Sequence, residues 1–70
     1  MKEKDNLLVR FGHKVQEYRE QLGISQEKLA ERADVHRTYI GTVERGETNI
    51  TLLNMYKLAN ALNIDIKQLL

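Results

Sequence analysis

Apolar residues in this 70-residue chain return at steps of three and four, and no stretch sustains the step of two that a half-buried strand requires. Leu8, Phe11, Val15, Tyr18 and Leu22 draw the first stripe, enough for an amphipathic helix of roughly four to five turns. Leu29, Ala30 and Ala33 draw a second, and Ile40 and Val43 a third. Leu52, Met55, Leu58 or Ala59, and Leu62 draw a fourth, with Leu53 and Tyr56 on its shoulder. Such a chain buries its apolar surface by packing helix on helix. It holds no Cys, so neither a disulfide nor a thiolate zinc site can staple the core. A lone core of this size is marginal, and a partner surface would add stability.

Caps divide the stripes into helices. Asp5 or Asn6 opens the first helix, and Gly23 stands where a left-handed closing residue is wanted. Gly12 falls inside that helix at a propensity cost of about 1 kcal/mol, for which the sequence offers no reason. Residues 1–5 carry mixed charges without an apolar pattern and read as frayed. Ser25 caps the second helix, with Glu27 facing the positive end of its dipole. Ala30 is small, as a close helix crossing demands. Asp34 occupies a turn, Val35 fills the junction, and a third helix runs from about His36 to Arg45, closed by Gly46. Glu47 to Ile50 form a loop, Thr51 caps the fourth helix and Asn63 ends it. Asp65 caps a last short helix through Leu70, which must pack on something because helix nucleation is costly. The expectation is one all-α domain over residues 1–70, a compact five-helix bundle.

Each helical residue advances about 100°. Arg37, Gly41, Arg45, Thr38 and Thr42 therefore share one arc of the third helix, while Tyr39, Ile40 and Val43 fall on the other side. An apolar seam beneath a polar arc of Arg and Thr is the layout of a helix-turn-helix, here residues 25–45, whose second helix can offer donors to the major groove of double-stranded DNA. The charge balance gives no help: eleven basic and ten acidic residues leave +1, so DNA binding has to rest on placement. Other functions are disfavoured. The longest apolar run is Leu7-Leu8-Val9, too short to span a membrane. The start, MKEKDN, lacks the apolar core of a signal peptide, so a cytoplasmic protein without a membrane partner is expected. His13 and His36 lie in different helices with no carboxylate at metal-ligand spacing, and a small bundle has little room for a substrate pocket. No enzyme, metal or cofactor is expected.

The run LGISQEKLAERADVHRTYIGTVERGETNITLLNMYKLANALNID resembles the Cro/C1-type helix-turn-helix family, the XRE-like regulators of phages and bacteria. The resemblance covers about Phe11 to Leu70. It rests on Ser25-Gln26, Leu29-Ala30, apolar Ile40 and Val43, Glu44-Arg45-Gly46, and Leu58-Ala59-Asn60-Ala61-Leu62. Asp34 departs from the Gly usual at the turn, and Asp tolerates the left-handed conformation better than most residues. Within the family, HRTYIGTVERGETNIT is most similar to the small controller proteins of restriction–modification systems. The resemblance implies a lambda-repressor-like DNA-binding fold. It also implies a homodimer on an inverted repeat near its own promoter, in a bacterial or phage-encoded, nucleoid-associated setting.

The resemblance places Arg37 at the end of the recognition helix that enters the groove, where an Arg can bond bidentately to guanine. Thr38 and Thr42 follow as base-contacting candidates, for a thymine methyl or a base edge. Gly41 between them invites close backbone approach to the groove floor. Ser25 and Gln26, at a helix start, suit a phosphate oxygen; in the family this Gln also braces the recognition helix. Arg45 and Asn49 match family positions that touch phosphate. His36 and Tyr39 are further phosphate candidates, though His36 also reads as a surface residue and Tyr39 as partly core. Lys2 and Lys4 offer a basic arm. By resemblance, Arg19 and Glu44 form a buried structural pair. The apolar residues of segment 62–70 suggest dimerisation, with Ile64 and Leu69 turned inward and Ile66 and Leu70 toward a partner. Glu27 and Glu31 resemble an acidic patch by which activating members touch RNA polymerase. The rival reading is an antitoxin or adaptor whose main partner is another protein.

Overall fold

The structure is a computed structural model that describes the backbone of residues 2–70 and the side chains from Asn6 onward. Four α-helices follow one another: α1 Lys2–Gln21, α2 Gln26–Ala33, α3 Arg37–Glu44 and α4 Leu52–Ala61. No strand occurs among the described residues. The expected fifth helix is instead a single 3-10 turn, Ile66–Leu69. Its bonds run three residues back, Gln68 N–H to Asp65 C=O at 2.9 Å and Leu70 N–H to Lys67 C=O at 3.2 Å. A segment this short cannot complete an α-helical ladder, and the tighter ring satisfies its carbonyls sooner. A capping box holds it: the Asp65 carboxylate accepts from Lys67 N–H, and Gln68 Oε1 accepts from Asp65 N–H, both at 2.9 Å. At the other end, α1 starts at Lys2, about one turn before the expected caps Asp5 and Asn6. The frayed segment and the Lys2/Lys4 arm concern side chains outside the described ones.

The connections follow local chemistry. Ser25 Oγ accepts from Lys28 N–H at 3.0 Å and starts α2. Asp34, at φ 57° and ψ 49°, makes the left-handed turn out of α2, and Val35 N–H returns to Ala30 C=O at 3.0 Å. Thr51 caps α4 by accepting from Asn54 N–H at 3.1 Å, and Asn63 closes it at φ 59°.

One core gathers all five elements. Phe11 and Val15 of α1 meet Leu29, Ala30 and Ala33 of α2, Ile40 and Val43 of α3, Leu58, Ala59 and Ala61 of α4, then Leu62 and Leu69. Tyr18, Val35, Tyr39, Ile50, Met55, Ile64 and Ile66 pack around it. Three stripe residues are outside it, and the first, Leu8, is half-buried without joining it. Leu22, 43% exposed, lies beyond the last turn of α1, where the helical angle no longer applies. Leu52, 63% exposed, is the first residue of α4, the helix that packs on α2 and the terminal turn.

Gly12 now has its reason. A Cβ there would overlap the Val43 carbonyl oxygen and stand 2.7 Å from that of Glu44, so α1 crosses the end of α3 backbone to backbone. Gly46, at φ 72°, repeats the approach: its Cβ would lie 2.8 Å from Val9 Cα. Gly12→Ala should therefore lower unfolding free energy by about 3 kcal/mol in urea titration, against the helix propensity that favours Ala. Gly23→Ala, which meets nothing but has φ 71°, should cost about 1 kcal/mol. Equal small effects would contradict the crossing.

Candidate nucleic-acid interface

The orientation of α3 is fixed from below by a buried charge. Glu44, the last residue of α3, has a side chain only 3% exposed. Its carboxylate accepts from Arg19 Nε at 2.6 Å and Nη2 at 3.1 Å, and from Gln26 Nε2 at 2.9 Å. Arg19 Nη1 also donates to the Ile24 carbonyl at 2.8 Å. The hydrogen bond from Glu44 holds the Arg19 guanidinium above its ordinary pKa, outweighing the opposing effect of burial. A carboxylate this deep is tolerable because it is paired and its lone pairs are filled. No buried side-chain polar atom among the described residues lacks a partner.

On the opposite side α3 presents its polar arc. Arg37 and Thr38 are exposed and Thr42 is half-buried. Arg37 Nη1 reaches Glu27 Oε2 of α2 at 3.3 Å, and Arg45 Nε reaches Glu47 Oε1 at 3.0 Å. Thr42 donates its hydroxyl to the Tyr39 carbonyl at 2.8 Å, which leaves its methyl and its lone pairs for any outside partner. Gly41 is buried, and what covers it is Arg45: a Cβ would stand 3.1 Å from Arg45 Nη1. The crowding expected from a groove floor thus already comes from a flexible guanidinium.

His36 is the N-cap of α3 rather than its first residue: Nδ1 accepts from Thr38 N–H at 3.1 Å. With Nδ1 occupied as an acceptor, Nε2 is the ring's donor. Tyr39 is half-buried, and its hydroxyl oxygen accepts from Asn54 Nδ2 at 3.0 Å, leaving the phenolic proton to donate elsewhere. Ser25, Gln26, Glu27 and Arg37 line one open cleft with Arg19, at the starts of α2 and α3. Asn49 lines a separate apolar groove of about 240 Å³ with Leu8, Phe11, Ile50, Met55 and Leu69. Sequence reasoning did not find Asn54 or Glu47, or Glu27 as the partner of Arg37. These contacts join separate elements or a loop, and residue spacing carries no signal of them.

The terminal apolar residues divide. Leu69 is fully buried in the monomer core, Ile64 and Ile66 are half-buried against it, and Leu70 is exposed. Ile64, expected inward, and Ile66, expected toward a partner, are thus placed alike. The larger exposed apolar set is Leu52, Leu53 and Tyr56 on α4, Leu70, and Leu7 and Val9 on α1. Among the described residues no cluster of three His, Asp or Glu side chains is arranged to hold a metal ion. Among the described residues no helix is long and apolar enough to cross a membrane.

The buried and exposed charges should separate in thermal and denaturant unfolding. Glu44→Ala leaves Arg19 unpaired and should cost about 3–5 kcal/mol. Arg37→Ala removes an exposed side chain and should stay within about 0.5 kcal/mol of the parent. Equal stability of the two variants would show that the Glu44 pair is not structural.

Residues 15–69 match the helix-turn-helix family HTH_3. The control protein C.BamHI of Bacillus amyloliquefaciens is 45% identical over 67 residues, spanning 94% of this chain and 83% of that protein. The control protein C.SmaI of Serratia marcescens is 52% identical over 56 residues, 80% of this chain and 67% of that one. Among solved structures, the restriction–modification controller protein C.AhdI from Aeromonas hydrophila superposes with a TM-score of 0.88 at 46% identity, over 90% of this chain and 96% of that one. The chain therefore belongs to the helix-turn-helix family of XRE-like, DNA-binding transcriptional regulators.

Proposed function

We propose that the chain is a restriction–modification controller that binds an inverted-repeat operator at its own promoter as a homodimer, in the cytoplasm. The observation that carries the reading is the exposed arc of α3, with Arg37 at its outward N-terminal end and Glu44 clamped beneath its other end. A helix so held can be pushed into a major groove without turning on its axis. Arg37 is then a guanine reader and Thr38 a base-edge contact. Thr42, its hydroxyl returned to its own backbone, offers a methyl to thymine. Ser25, Gln26, His36, Tyr39, Arg45 and Asn49 take the phosphates on either side. Gln26 gives one of its two amide N–H donors to Glu44, which leaves the other, with the backbone N–H groups at the start of α2, for a phosphate oxygen.

The dimer surface combines Leu70 and the outer edge of Ile66 with Leu52, Leu53 and Tyr56; Ile64 and Leu69 support it from the core side. A two-fold contact there would set two recognition helices about 34–36 Å apart, one turn of DNA. Glu27 and Glu31 are the acidic side chains offered to RNA polymerase, each with a cation beside it, Arg37 and Lys28.

Selection of a duplex from a random pool, followed by a salt titration, tests the reading. A symmetric site should emerge, and log affinity should fall against log salt with a slope of about −0.9 for each phosphate neutralised. Arg37→Ala should lose about 1–3 kcal/mol of discrimination at one guanine per half-site. No selected site and a flat salt dependence would favour the antitoxin or adaptor reading.

A further inference from the structure

We propose that Glu27 is a specificity-determining residue that holds Arg37 back from phosphate while leaving it free to read guanine. The inference rests on the DNA-binding reading above. Arg37 is the first residue of α3, at the positive end of that helix's dipole, and the first turn of α3 contains no acid to offset it. A free guanidinium there would be a strong, indiscriminate attractor for the DNA backbone, the contact that dominates non-specific binding. The compensating charge comes from the neighbouring helix: Glu27 Oε2 lies 3.3 Å from Arg37 Nη1. Glu27 sits in the first turn of α2, where the dipole stabilises its negative charge. Glu31, one turn along, is instead bonded to Lys28 at 2.9 Å, which lowers its pKa, so the two acids have separate partners.

The geometry of the guanidinium makes this pairing selective. It presents five N–H donors in a planar fork, and Glu27 occupies a donor on Nη1 only. The remaining donors suffice for O6 and N7 of guanine, which carry no net charge and do not repel the carboxylate. A phosphate competing for the same guanidinium brings a full negative charge beside Glu27 and is opposed by it. Both side chains are largely exposed, 69% for Arg37 and 75% for Glu27, so the device acts through placement of charge and not through the fold.

The test compares affinity for a duplex selected by the wild type from a random pool with affinity for an unrelated duplex of equal length. Glu27→Gln should tighten binding to the unrelated duplex by about two- to fivefold, the range of an exposed ion pair, with binding to the selected duplex unchanged or weaker. In the Arg37→Ala background the same substitution should leave the ratio of the two affinities unmoved. Glu31→Gln should shift both affinities together. An unchanged ratio in Glu27→Gln, or a narrowing that persists without Arg37, overturns the proposal while the DNA-binding reading stands. If the wild type selects no duplex at all, both fall.

Discussion

The buried carboxylate of Glu44 is the interaction on which the arrangement depends. It receives donors from α1 through Arg19 and from the start of α2 through Gln26, and it belongs to the end of α3. One side chain thus ties together the three helices whose relative angles decide where the polar arc points. Removing either charged partner leaves an uncompensated charge largely shielded from water, which makes the pair a constraint more than a source of net stability. The same end of α3 lies under α1, where Gly12 lets carbonyl oxygens come within a distance that any Cβ would block. Hydrogen bonds and close backbone contact therefore pin one end of α3. Its other end starts at the His36 cap and stands out toward solvent.

This asymmetry suits a reading helix. The pinned end carries apolar Ile40 and Val43 inward, and the free end carries Arg37 and Thr38 outward. Intramolecular partners already pre-arrange exposed Arg37 and Arg45, through Glu27 and Glu47, and half-buried Tyr39, through Asn54. Side chains held near one geometry lose less rotamer freedom on binding. With a formal charge of +1 the protein has little long-range attraction for DNA, so a few oriented groups and the doubling of a dimer would have to supply affinity.

Much of the scaffold can be read from residue type and spacing alone. Ser25, Thr51 and Asp65 each accept from backbone N–H groups at a helix start, and Leu29, Ala30, Ile40, Val43 and Leu58 fill the core at helical steps. Those signals are local, and local chemistry decides them. What could not be read depends on how helices cross. Gly12 makes sense only against the carbonyls of Val43 and Glu44, and the exposure of Leu52 shows only in the packed structure. The apolar residues and Asp65 cap of the last segment fit either helix type, and only its length selects the 3-10 form. The pairing of Arg19 with Glu44 was suggested by family resemblance, since nothing in a separation of 25 residues predicts it.

The central claim is that Arg37, held at the free end of α3, reads a guanine edge in the major groove. Interference by N7-methylguanine in the selected duplex tests it most directly, because methylation removes the acceptor without altering the backbone. The account predicts that methylation of one guanine per half-site blocks binding by the wild type, and that Arg37→Ala becomes indifferent to methylation there. Interference at that guanine that persists undiminished in Arg37→Ala would contradict it.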